Sequence, residues 1–83
     1  MVAASSTDEP EYRAVTVALR ADLMAAVASL PIPQRETFLL RAEGGLTLEE
    51  IGEVTGTSRE TAKSRLRYAL NRMRIMLEPW HEQ

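Results

Sequence analysis

No cysteine occurs in these 83 residues, and His81 is the only histidine. Those two scarcities exclude a disulfide framework, a thiol nucleophile and a zinc finger. His81 has no companion at metal-ligand spacing, so neither a metal nor another cofactor is expected. No apolar run reaches the length of a signal peptide or a membrane span, and no positively charged leader is present, which predicts a cytoplasmic protein. No nucleophile–base pairing and no phosphate loop can be traced, and Gly44-Gly45 reads as a helix cap, so an enzyme is not expected. Excess positive charge is missing too: 10 Lys and Arg stand against 12 Asp and Glu, a formal net charge of −2.

That total conceals a division. Residues 1–57 hold four cations and nine acids, whereas residues 58–83 hold six cations and three acids. The six are Arg59, Lys63, Arg65, Arg67, Arg72 and Arg74, and Glu60 is the only acid among them. Screening confines such a field to roughly 8–10 Å at physiological salt, so a mildly acidic chain can still present a basic working face.

The punctuation predicts an all-α fold of four helices in one small domain, without winged elements. Met1–Thr7 reads as a leader or linker remnant within a segment 1–8, followed by a domain over 9–78 and a tail over 79–83. Asp8 would cap a first helix over about 9–29, with Glu11 and Pro10 in its first turn. Its predicted apolar face is Tyr12, Val15, Leu19, Leu23, Val27 and Leu30. Pro31 and Pro33 end it. A second helix over about 33–43 buries Phe38, Leu39 and Ala42 and stops at Gly44-Gly45. Thr47 and Glu50 form a capping box for a short third helix with Leu48, Ile51 and Val54 inside. Gly56 supplies a positive φ, Ser58 caps the fourth helix, and Ala62, Leu66, Ala69, Met73 and Leu77 carry its core face to about 77. Met24, Met73 and Met76 read as core filler.

Two short helices around a glycine turn match a helix-turn-helix, in which Gly52 would permit close approach where they cross. Opposite the core face of the last helix lie Glu60, Ser64, Arg67, Tyr68 and Asn71. Lys63, Arg67 and Arg74 line one flank of this strip, and Arg65 and Arg72 the other. Short polar side chains at the centre suit base edges, and lateral cations suit the two phosphate backbones. An i,i+3 contact between Glu60 and Lys63 is also open.

Three stretches now make a specific resemblance. Leu30-Pro-Ile-Pro-Gln-Arg-Glu-Thr-Phe-Leu-Leu-Arg41, Gly45-Leu-Thr-Leu-Glu-Glu-Ile-Gly52 and Thr61-Ala-Lys-Ser-Arg-Leu-Arg-Tyr-Ala69 together resemble region 4 of extracytoplasmic-function sigma factors, over about residues 30–77. The LuxR-type helix-turn-helix shares the glycine turn and a T-x-K element, but lacks the LP-x-x-QRE opening and the KSRL continuation; it is the alternative. The resemblance implies recognition of the minus-35 promoter element, docking on the flap of the RNA polymerase beta subunit, and masking by an anti-sigma factor in many relatives. A polymerase or anti-sigma interaction module without strong DNA binding of its own is a further alternative. Lys63, Ser64 and Arg67 match groove-facing positions of that family. Tyr68 stands where many relatives have Arg and cannot make the bidentate guanine contact of Arg. Arg59, Glu60 and Thr61 lie in the first turn, where base or phosphate contacts are expected, and Arg65 completes the set. Sigma factors of this class also carry a region 2, for which 83 residues leave no room. Either this is a domain of a longer sigma factor or a stand-alone relative. It is expected to be a monomer with no membrane partner.

Overall fold

The computed structural model describes residues 10–81, with the side chains of Pro10, Trp80 and His81 left aside. The proposed Met1–Thr7 leader, the Asp8 cap and the side chains of Trp80 and His81 therefore lie outside the described residues. Five helices follow in order: α1 (Pro10–Ser29), α2 (Ile32–Ala42), α3 (Leu48–Thr55), α4 (Arg59–Met76) and a single turn, α5 (Glu78–His81). Four of them match the expected elements; α5 does not. Pro79 lies in the segment read as a tail and occupies the second position of this turn, where its missing N–H costs nothing.

Local chemistry accounts for the boundaries. At Pro31 the backbone is extended, with φ −56° and ψ 149°, and this residue becomes the N-cap of α2. At the other end of α2, Gly45 takes φ 67°, and the amides of Gly44, Gly45 and Leu46 donate back to Leu39, Arg41 and Leu40. Thr47 and Glu50 form the reciprocal capping box of α3: the Glu50 amide donates to Thr47 Oγ1 at 3.1 Å, and the Thr47 amide donates to Glu50 Oε1 at 2.8 Å. Gly56, at φ 73°, ends α3, and three residues later α4 begins.

Helix α4 is the central element, packing on α2 and α3 and, less extensively, on α1. Ala26, Leu30, Ala69 and Met73 form one core cluster, with Val27 and Phe38 against it. Ile51, Ala62 and Thr37 are fully buried as well. Alanines at the contacts let the helix axes approach, so this core is built as much on small side chains as on large ones.

Several expected core positions are on the surface. Along α1, Tyr12, Val15, Leu19 and Leu23 are between 38 and 53 % exposed, because the helix outruns its neighbours and meets them only from Ala26 onward. The radius of gyration, 15.6 Å, exceeds the roughly 12 Å expected of a compact chain this long, in keeping with a protruding helix. Ala42 and Val54 are exposed rather than buried: Ala42 lines an open groove with Leu23, Val27 and Phe38, and Val54 lines another with Glu36, Leu39 and Leu40. Met24 and Met76 are exposed too, and of the three methionines read as filler only Met73 is core. Thr37, which no pattern singled out, takes a core place in α2, and its Oγ1 has no hydrogen-bond partner.

Candidate nucleic-acid interface

The α3–α4 pair has the geometry of a helix-turn-helix, and Gly52 explains how tightly it closes. A Cβ there would lie 2.7 Å from the Thr57 carbonyl oxygen and 3.2 Å from the Ser58 carbonyl carbon. The Gly52 carbonyl accepts both the Gly56 and the Thr57 amides, the latter at 2.8 Å. Beyond the turn, Ser58 Oγ accepts the Thr61 amide at 3.0 Å, fixing the first turn of α4.

From this anchor the side chains fan out as expected. Ala62, Ala69 and Met73 are buried and Leu66 and Leu77 half-buried; Glu60, Lys63, Ser64, Arg67, Tyr68 and Asn71 are exposed. Arg72 and Arg74 are exposed further along the helix. Thus Glu60, Lys63, Ser64, Arg67 and Tyr68 share one accessible face. Among the described residues, neither Lys63 nor Arg67 has a hydrogen bond or ion pair, leaving both available to an external anion.

The remaining candidates are more committed. Arg59 Nε lies 3.2 Å from Glu49 Oε2 on α3, and its Nη1 lies 3.4 Å from Glu60 Oε2. Glu60 therefore pairs with Arg59, not with Lys63 as the spacing had also allowed. These exposed pairs are worth only about 0–1 kcal/mol, so a phosphate can displace them at small cost. Thr61 is half-buried, and its hydroxyl oxygen accepts Ser58 Oγ at 3.1 Å, so the side chain belongs to the cap. Arg65 is half-buried on the far flank, where α4 meets the start of α2.

There the structure adds a residue that the helical wheel missed. Gln34 joins Glu60, Thr61, Ser64, Arg65 and Tyr68 around a concavity of about 390 Å³, and its Oε1 is buried without a hydrogen-bond partner. Its place in the Gln34-Arg35-Glu36 run was visible; its position beside α4 depends on how the helices cross, which no local pattern encodes. A more apolar groove, about 420 Å³, separates α1 from α2 and is lined by Leu23, Met24, Val27, Phe38 and Leu39 among others. Among the described residues no cluster of side chains could hold a metal ion, and no helix is long and apolar enough to cross a membrane.

Comparison with known proteins agrees with this geometry. The RNA polymerase sigma factor SigV of Bacillus subtilis is 45 % identical over 56 residues, covering 68 % of this chain and 34 % of that protein. The ECF RNA polymerase sigma factor ShbA of Streptomyces griseus is 38 % identical over 69 residues, covering 83 % of this chain and 36 % of its own length. The chain thus spans about a third of the curated relatives it matches. No solved structure matches it significantly. The LuxR-type alternative is not favoured by these relatives. The family described as "Sigma-70, region 4" matches residues 20–73, which takes in the C-terminal half of α1, the whole of α2 and α3 and most of α4: the chain belongs to the sigma-70 region 4 family.

Proposed function

We propose that this domain reads the minus-35 promoter element through the first half of α4, as the region that directs RNA polymerase to a start site. The observation that carries the reading is the exposed face of Glu60, Lys63, Ser64, Arg67 and Tyr68 on the second helix of a helix-turn-helix in a chain of this family. The physical division of labour follows. Ser64, Tyr68 and the Glu60 carboxylate meet base edges in the major groove; Lys63, Arg65 and Arg67 meet phosphates, with Arg59 joining them once released from Glu49. Thr61 contributes through its cap, which holds the helix N-terminus where a backbone phosphate is favoured.

The role is binding, not catalysis, and no cofactor enters it. The flap of the RNA polymerase beta subunit fits the apolar groove between α1 and α2, and an anti-sigma factor would act by covering the same domain. The protein works in the cytoplasm as a monomer, since one domain reads one half of an asymmetric promoter; a stable two-fold dimer at micromolar concentration would contradict this.

Fluorescence anisotropy with labelled promoter duplexes at low salt tests the proposal. Lys63→Ala and Arg67→Ala should each weaken binding by about 1 kcal/mol or more, and Glu53→Ala on exposed α3 should change little. Absence of binding at low salt, or equal effects of all three substitutions, would refute it.

A further inference from the structure

On its Arg65 side α4 is walled by a second helix, and that wall holds a hydrogen-bonding group the fold does not use. Gln34, in the first turn of α2, lines the concavity of about 390 Å³ with Glu60, Thr61, Ser64, Arg65 and Tyr68. Its Oε1 is buried without a partner, and among the described residues the side chain makes no hydrogen bond. An unpaired buried acceptor costs about 1–3 kcal/mol, so the fold itself gains nothing from an amide at this position. The side chain is only half-buried, and with its oxygen enclosed the Nε2 donor is the end left for an incoming group.

The dimensions of DNA identify that group. An α-helix with its side chains is about 10–12 Å across, and the major groove is about 12 Å wide. Once α4 is seated, a step that rests on the DNA-reading role proposed above, the helix fills the groove from wall to wall. A side chain on the neighbouring helix then reaches no base edge and meets the sugar-phosphate wall on its own side. Donors suited to a phosphate oxygen already line the concavity: the Arg65 guanidinium, the Ser64 hydroxyl and the Gln34 amide. Glu60, the one acid in the lining, is partnered by Arg59, whose Nη1 lies 3.4 Å from its Oε2.

We propose that Gln34 is a further DNA contact, which with Arg65 clamps one backbone phosphate between α2 and α4. The two donors differ in kind. Arg65 neutralises the phosphate and releases its counterion, whereas the Gln34 amide adds a hydrogen bond without adding charge. Its contribution is therefore the same for every base sequence and leaves the salt dependence untouched. The DNA-gripping unit becomes three helices instead of two, and the grip of α2 on the strand fixes how deeply α4 sits.

Fluorescence anisotropy with the 83-residue chain tests the clamp, using variants that circular dichroism shows to be folded at the titration temperature. Gln34→Ala should weaken binding roughly three- to tenfold on all duplexes alike, with the slope of log K against log salt unchanged. Gln34→Lys places a charge at the same phosphate and should steepen that slope by about 1. In duplexes whose phosphates are replaced one at a time by uncharged methylphosphonate, one position should weaken the parent clearly more than Gln34→Ala. The methylphosphonate scan and the lysine slope are independent, so a variant that fails to fold leaves the other decisive. The clamp is refuted if Gln34→Ala binds as the parent does, if Gln34→Lys leaves the slope unchanged, or if no phosphate distinguishes parent from Gln34→Ala. A loss that depends on base sequence would refute it too, by marking a base contact. A parent that binds no duplex at low salt removes the DNA-reading role and the clamp together; a parent that binds and responds to Arg67→Ala, while the Gln34 variants are silent, removes the clamp alone.

Discussion

Replacing Gly52 by alanine sets two effects of known size against each other. Within a helix, alanine is favoured over glycine by roughly 0.8–1.0 kcal/mol. Against that gain stands the new Cβ, 2.7 Å from the Thr57 carbonyl oxygen and 3.3 Å from that of Ser58. Ordinary contact needs about 3.4 Å or more, and the obstacle is backbone, so the turn itself must move by several tenths of an ångström. Overpacking of this kind costs ~1–3 kcal/mol. The displaced residue also donates the 2.8 Å bond from its amide to the Gly52 carbonyl, and weakening it adds up to about 1 kcal/mol. Because the obstacle is backbone at 2.7 Å, the upper half of the overpacking range applies, and the balance is a destabilisation of about 1–3 kcal/mol, a fall in melting temperature of roughly 4–24 °C for a domain of this size. Thermal unfolding followed by far-ultraviolet circular dichroism measures it. Because the displaced turn carries Ser58, DNA affinity should fall as well at a temperature where both proteins remain folded. A Gly52→Ala protein as stable as the parent would show that the α3–α4 crossing is looser than described and refute the reasoning.

Thr37→Val should leave stability unchanged or raise it by about 1 kcal/mol, since it removes a buried hydroxyl that has no partner; a clear loss in urea unfolding would show that the hydroxyl is satisfied in solution. Ser58→Ala removes the cap of α4 and should cost about 1 kcal/mol, with Ser58→Asp restoring most of it. Tyr68→Arg should leave folding intact, because the side chain is exposed, and should shift preference toward duplexes with guanine at the contacted position, read by competition between duplexes.

The features legible in the sequence are those decided within a turn of the chain. The Thr47–Glu50 box, the Ser58 cap, the left-handed Gly56 and the close approach at Gly52 each depend on a few neighbouring residues, and each stands where the spacing put it. The exposed strip of α4 was equally readable, because Ala62, Ala69 and Met73 fix which side is buried and the wheel fixes the rest. Burial on α1 was not. Tyr12, Val15, Leu19 and Leu23 have helical periodicity, but periodicity identifies an apolar face without saying whether anything covers it. Gln34 and Thr37 were hidden for the related reason that their surroundings come from helices distant in sequence. Thr61, read as a contact residue, also takes part in the Ser58 cap, which the spacing did not show because a hydroxyl in the first turn serves either purpose.

The proposed DNA contact depends on α4 meeting phosphates with a small, countable set of cations. Lys63, Arg65 and Arg67, with Arg59 as a fourth, should release counterions so that log K falls with log salt at a slope of about −3 to −4. The most direct test is that slope for the parent and for Arg67→Ala, measured by anisotropy on one promoter duplex. A slope in that range, reduced by about 1 in the variant, is the result predicted. A slope near zero, or one that Arg67→Ala leaves unchanged, would contradict the assignment of this face to DNA.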